Sequence, residues 1–292
     1  MRIIFAAAEV APYAKVGGLA DVAGSLPQAL AALGHDVRVY VPYHRTIDEA
    51  KFGIPASGRT RSVPYGAAHA RIEYPEITRD GARVVFVRSF RIGRDKVYGY
   101  PDDAKRYALF CRAVLADLAD GPPDVVHAHD WHAALLVPLA AKARELRGSA
   151  TAFTIHNLAY QGRTSADVLR LVGLARSRLA IEGRDEANPM ARAIAAADVV
   201  STVSERYAEE ILQFVLGLRL LHRGLGAGRG DEGARAAAGV RCERGEGDHS
   251  KEAEARHAGA GRDRELAVDT HPSSLPTRFL ARRTTGLTRR FR

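Results

Sequence analysis

The chain has 292 residues, is 46% hydrophobic and 26% charged, and carries a formal net charge of +9. That length and apolar content support a sizeable core in one or two domains. No stretch is apolar and long enough to span a bilayer, and two cysteines, Cys111 and Cys242, placed far apart, argue against a disulfide framework or a thiolate metal site. The excess charge suggests a nucleic-acid or membrane partner, but residues 214–292 hold 16 Lys+Arg against 10 Asp+Glu, whereas residues 1–213 hold 27 against 24. The basicity therefore belongs mostly to the tail, and both partner classes are set aside. Met1-Arg2 runs directly into an apolar strand with Glu9 just after it, which is no signal peptide, so the cytoplasm is the expected compartment.

The first expected strand is Ile3–Ala8, an apolar run. Lys15-Val16-Gly17-Gly18-Leu19-Ala20-Asp21-Val22 follows, and Leu19 to Leu33 reads as a helix ending at Gly34. The glycine pair between strand and helix permits positive φ and a close approach to a ligand. The helix start directs free N–H groups and a positive dipole end at that point, and Lys15 adds a full charge, so a phosphate or diphosphate is the expected guest. A simple tight turn is the alternative for Gly17 and Gly18, and dipole stabilisation the alternative for Asp21. The run matches neither the dinucleotide nor the Walker fingerprint.

Val37–Val41 is the second strand, and residues 60–90 hold two or three alternating runs, Arg83–Val87 among them, that look antiparallel or edge-like. Asp102–Leu118 is an amphipathic helix, preceded by the turn Val97-Tyr98-Gly99-Tyr100-Pro101. Asp124–His129 is an apolar strand with a polar end, Ala133–Leu146 a helix, and Thr151–His156 another strand with a polar end. Helices over Ser165–Val172 and Pro189–Ala196, a strand over Asp198–Val203 and a helix beginning at Glu205 complete the pattern. Apolar strands alternating with helices predict an α/β, Rossmann-like, doubly wound and mostly parallel sheet. Ligands of such sheets sit outside the C-terminal strand ends, where Gly17, His129, His156 and Ser204 fall.

After Gln213 this grammar stops, and the segment is arginine- and glycine-rich without helical or strand period. Residues 214–292 therefore read as out-of-frame translation of a GC-rich gene, with a natural basic disordered tail as the alternative.

Two polar clusters sit at strand ends. In His127-Ala128-His129-Asp130-Trp131-His132 the histidines and aspartate invite a metal, but no later carboxylate or histidine run completes a site. The other readings are packed, satisfied histidines or a sugar subsite in which Asp130 accepts from hydroxyls and Trp131 forms an aromatic wall. Thr154-Ile155-His156-Asn157-Leu158-Ala159-Tyr160-Gln161-Gly162 offers donors and acceptors suited to a polyol. Asp102 or Asp103 is a candidate N-cap, and Ser204 is another.

The runs K-V-G-G-L-A-D-V, H-A-H-D-W-H-A, I-H-N-L-A-Y-Q-G and A-D-V-V-S-T-V-S-E-R-Y-A-E-E-I occur in the order found in bacterial glycogen synthases and plant starch synthases. The chain resembles that family from Met1 to about Gln213. The resemblance implies the N-terminal half of a GT-B fold. It also implies transfer of glucose from ADP-glucose to the non-reducing end of an α-1,4-glucan, with retention and without a metal or other cofactor. By the same resemblance Lys15 meets the nucleotide diphosphate, Gly17 and Gly18 form the donor loop, and Asp21 is its polar neighbour. Asp130, His156 and Asn157 surround the transferred glucose, and Tyr98 lies near the donor or acceptor sugar; Gln161, from the polyol-suited run, is a further candidate substrate contact. His156 and Asp130 are the catalytic candidates. The chain departs from the family pattern at Asp103, where an asparagine is usual, and no match for the second domain's arginine, lysine and catalytic glutamate occurs after Gln213. A glucan-binding domain without chemistry and a metal-dependent hydrolase are the alternative functions.

Overall fold

The computed structural model describes residues 1–119, 121–175 and 185–213 and the backbone of 280–281. In chain order the elements are β1 (Arg2–Ala6), α1 (Gly18–Ala32), β2 (Asp36–Pro42), α2 (Glu49–Phe52), β3 (Arg59–Tyr65), β4 (Ala68–Tyr74), β5 (Glu76–Arg79) and β6 (Ala82–Val87). They continue with α3 (Asp103–Leu118), β7 (Val125–His129), α4 (Asp130–Ala134), α5 (Leu136–Lys142), β8 (Ala150–Ile155), β9 (Thr164–Ser165), α6 (Asp167–Leu171) and β10 (Glu186–Ala187). Then come α7 (Pro189–Ala196), β11 (Val199–Thr202), helical residues 205–213 (α8) and β12 (Leu280–Ala281).

The main sheet runs β12-β11-β8-β7-β1-β2-β6-β5. Its inner strands are parallel, and β5 and β12 pair antiparallel on the two edges. Ile4, Phe5, Val39, Val85, Phe86, Val126 and Phe153 are fully or almost fully buried, as expected of strands covered by helices on both faces. From β1 the chain steps to β2 and β6 on one side, then crosses back through α3 to β7 and moves on to β8 and β11. Right-handed crossovers in opposite directions put their helices on opposite faces. Accordingly α1 packs on β2 and β6, while α3, α4, α5 and α7 pack on one another and α5 lies on β7 and β8. The order reverses between β1 and β7, so a crevice opens where their C-terminal ends diverge.

Several local expectations are corrected. Arg83–Val87 belongs to the main sheet: β6 pairs parallel with β2 and antiparallel with β5. The single helix expected over Ala133–Leu146 is broken into α4, α5 and a short 3-10 turn at Arg144–Leu146. Pro138 has no N–H to give the carbonyl of Ala134, the last residue of α4, so the ladder is interrupted there. Residues 214–292, expected to be an out-of-frame or disordered tail, lie outside the described residues apart from Leu280–Ala281, whose backbone pairs with β11. The remaining elements match their expected positions to within a few residues; α7 does so at both ends, with Asn188 accepting from the Ala191 N–H and Pro189 opening the helix.

Candidate functional site

Glu9 organises the loop between β1 and α1. It lies just past the strand and is 2% exposed. Its Oε2 accepts from the N–H of Val16 (2.5 Å) and of Gly17 (3.0 Å), and its Oε1 accepts from the Tyr98 hydroxyl (2.5 Å). The chain's own carboxylate thus takes the two backbone N–H groups immediately ahead of α1, and the expected phosphate donors, those of the first helical turn, are not among its partners. The expected positive φ at the glycine pair is corrected. Gly17 is the extended N-cap of α1, with φ −139° and ψ −167°, and Gly18 is the first helical residue. A Cβ at Gly18 would meet nothing within 4 Å, and one at Gly17 would find only Glu9 Oε1, at 3.7 Å. The pair keeps the space before the first helical turn open. Close approach is instead needed one turn on, at Gly24, where a Cβ would stand 2.6 Å from the Ala11 carbonyl oxygen. Lys15 Nζ lies 2.7 Å from Asp21 Oδ1, with both side chains more than half exposed. This pair sits at the mouth of the loop, free to exchange partners.

Across the crevice, Asp130 links β7 to the turn after β8. It takes the left-handed backbone conformation, φ 55°, which turns its buried carboxylate toward the neighbouring strand end. Oδ1 accepts from the backbone N–H of His156 (2.8 Å) and of Asn157 (3.2 Å). The peptide joining those two residues is planar and trans, so the His156 carbonyl points opposite to the Asn157 N–H, away from Asp130. Burial pushes the Asp130 carboxyl up to about 6, the Glu9 charge adds to this, and the two N–H bonds hold it down. The Asn157 amide oxygen accepts from the Ala159 N–H (3.0 Å) and shapes the turn. Gln161 donates to the Leu158 carbonyl (3.2 Å) and accepts from Asn188 (2.7 Å), so its amide ties the loop to the start of α7. Gly162, at φ 70°, lies against Trp131, where a Cβ would come within 2.4 Å of the ring. Trp131 is partly buried and packs edge-on against Tyr107 at 5.4 Å, so it floors the loop rather than forming the expected open aromatic wall.

Tyr98 joins the two halves. It hydrogen-bonds Glu9 and stacks on His132 with centroids 4.7 Å apart. Burial, reinforced by the Glu9 carboxylate, pushes its phenol well above the usual range. The turn that presents Tyr98 is fastened by Asp103, whose Oδ2 accepts from the N–H of Gly99 (2.7 Å) and Tyr100 (3.1 Å). Its other oxygen pairs with the buried Arg106 at 2.5 Å, and Arg106 also donates to the carbonyls of Ile92 and Val97. The carboxylate at the position where this chain departs from the family pattern is therefore the counter-ion of a buried guanidinium. Asp102, the N-cap residue of α3, makes no side-chain cap bond and pairs with Arg94. Ser204 does cap α8, accepting from the Tyr207 N–H at 3.1 Å.

The histidines face inward. His127 and His129 share one face of β7, their rings 4.2 Å apart. His127 Nε2 bonds Thr154 Oγ1 (2.6 Å), which bonds Ser201 Oγ (2.7 Å). His129 Nδ1 meets His156 Nε2 at 3.0 Å. Burial holds His127 and His156 at about 4 and His129 and His132 well below the usual histidine value, so all four are neutral near pH 7. Among the described residues no group of three His, Cys, Asp or Glu side chains is placed to hold a metal ion.

Gly17 and Tyr98 thus meet at Glu9, the Lys15–Asp21 pair ties the same loop to α1 beside Gly18, and Asp130 gathers His156 and Asn157 at the end of β8. Gln161 stands behind as a brace. Sequence patterning gives no role to Glu9 or Arg106, and it places His129 at a strand end without its partner His156. For Glu9 a signal existed, an isolated acid closing the apolar run Ala6-Ala7-Ala8.

Residues 2–224 match the sequence model of the family described as the starch synthase catalytic domain. Glycogen synthase 2 of Geobacter metallireducens is 41% identical over 229 residues, 73% of this chain and 47% of that protein. Glycogen synthase of Geobacillus stearothermophilus is 37% identical over 235 residues, 75% of this chain and 48% of that protein. Among solved structures, the catalytic domain of starch synthase IV from Arabidopsis thaliana, bound to ADP and acarbose, superposes with a TM-score of 0.63 at 31% identity. That match covers 72% of this chain and 46% of the other. The chain spans about half the length of the curated relatives it matches.

Proposed function

The chain belongs to the starch synthase catalytic-domain family, and from that premise we propose that residues 1–213 form one wall of a glucosyltransferase cleft. The reaction is transfer of glucose from ADP-glucose to the non-reducing end of an α-1,4-glucan, with retention at the sugar carbon. One observation carries this reading: a glycine-opened loop after β1, organised by Glu9 and bearing the exposed Lys15–Asp21 pair, and a carboxylate-pinned turn after β8 both stand at the C-terminal strand ends by the switch point of a doubly wound sheet.

In this reading Lys15 leaves Asp21 to meet the donor diphosphate, and the open space before Gly18 admits it. As the sugar–phosphate bond breaks, negative charge grows on the phosphate beside Lys15 and positive charge on the sugar ring. As the family resemblance implies, the His156 carbonyl offers its dipole to that positive centre, and its peptide geometry, which aims it away from Asp130, is compatible with this role. Asp130 holds this dipole in place and adds charge from behind. Tyr98, tethered by Glu9, flanks the sugar; Asn157 supplies polar contacts and Gln161 keeps the loop in shape. Cytoplasmic residence belongs to the same proposal.

The test is incorporation of radiolabelled glucose from ADP-glucose into glycogen by the 292-residue chain, run beside affinity electrophoresis in glycogen gels. Glucan retention with slow or undetectable incorporation is expected of a single wall. Ordinary synthase rates would overturn the single-wall reading. Absence of both ADP-glucose and glucan binding would overturn the site assignment.

A further inference from the structure

His129 is fully buried at the end of β7, its Nδ1 3.0 Å from Nε2 of His156 and its own Nε2 without a hydrogen-bond partner. Phe5 stacks on the ring at 5.3 Å and 17°, and His127 packs against it at 4.2 Å, so the ring has little room to turn. A neutral imidazole carries one N–H and one bare nitrogen. Two such rings in contact through nitrogens need one donor and one acceptor, which leaves two arrangements. If His156 donates, His129 accepts at Nδ1 and its only proton sits on Nε2, an N–H sealed in the core with no acceptor. If His129 donates, its Nε2 is a bare lone pair. Buried N–H groups without acceptors are the rarer defect, so the second arrangement is favoured.

We propose that His129 is a positioning residue that fixes the tautomer of His156: His129 Nδ1–H donates to His156 Nε2, which leaves the His156 proton on Nδ1. The His156 ring is half-buried, and its Nδ1 edge, remote from His129, is the edge left for a ligand. The side chain then presents a neutral N–H donor, suited to a sugar hydroxyl or phosphate oxygen, rather than a lone pair. This role rests on the reading of the crevice as a glucosyl site, but the tautomer does not.

The experiment is long-range ¹H–¹⁵N correlation of the histidine rings in the uniformly labelled 292-residue chain near neutral pH. The Nδ1–H pattern is expected for His156; an Nε2–H pattern overturns the proposal whatever the chain transfers. His129→Asn places an amide NH₂ where the imidazole Nδ1 stood and should preserve the pattern, whereas His129→Leu removes the donor and should abolish it. Titration with ADP-glucose and with maltoheptaose should show affinity lost roughly tenfold for His129→Leu and kept within about twofold for His129→Asn. Equal affinities for a folded His129→Leu would overturn the positioning role. Should that variant not fold, the wild-type spectrum and the asparagine variant decide the question.

Discussion

Replacing Asp130 by asparagine separates what this carboxylate holds in place from what its charge costs. Asp130 is 7% exposed, and its carboxyl is raised from the ordinary 3.8 to about 6, chiefly by burial. A carboxyl that holds its proton more tightly in the folded than in the unfolded chain destabilises the fold when it ionises. The penalty is absent below about pH 4, grows as the pH rises through about 6, and is complete at neutrality. Its full size is roughly 3 kcal/mol. Asparagine keeps an oxygen to accept from the His156 and Asn157 N–H groups, tolerates φ 55°, and carries no charge. Its NH₂ group needs an acceptor, an offset of about 1 kcal/mol. Asp130→Asn should therefore stabilise the fold by roughly 1–3 kcal/mol near pH 7.5 and by little or nothing near pH 4.5. Urea unfolding of both proteins at each pH gives the difference directly, with the other titrating groups cancelling. A difference that does not change with pH, or a variant less stable at neutrality, would refute the burial argument. The wild-type carboxylate then represents stability given up at a position proposed to serve the glucosyl site.

Gly162→Ala should cost roughly 2–5 kcal/mol, from the left-handed φ and the collision with Trp131; a thermal midpoint close to wild type would mean that the indole moves aside. Arg106→Leu strands the Asp103 carboxylate and should cost roughly 3–5 kcal/mol, and a double-mutant cycle with Asp103→Ala should recover part of it. Lys15→Ala should change stability by less than about 1 kcal/mol, because its ion pair is solvated. The same variant should weaken ADP-glucose binding measured by calorimetry, and unchanged affinity would remove Lys15 from the donor site.

What the sequence determined by itself is the frame. Short apolar runs such as Ile3–Phe5 and the β-branched Val37–Val41, each bounded by turn signals, fit strands, and strand–helix alternation then points to a parallel, doubly wound sheet. The bounds of α7 are legible because Asn188 and Pro189 act on their immediate neighbours, and the motifs place Asp130 and His156 at strand ends and Lys15 in the loop between β1 and α1. The interruption at Pro138 was legible too, and periodicity alone concealed it. Tertiary structure decided who holds whom. Glu9 reaches Gly17 and Tyr98, Asp130 reaches the amides of His156 and Asn157, and His129 reaches His156. Most of these partners lie tens of residues apart and meet only because the registers β1–β7 and β7–β8 bring their strand ends level. Periodicity and capping act over a few residues and so are visible in order along the chain. The donors that Glu9 takes, the burial that raises Asp130 and the proton that His129 directs exist only once the sheet has closed around them.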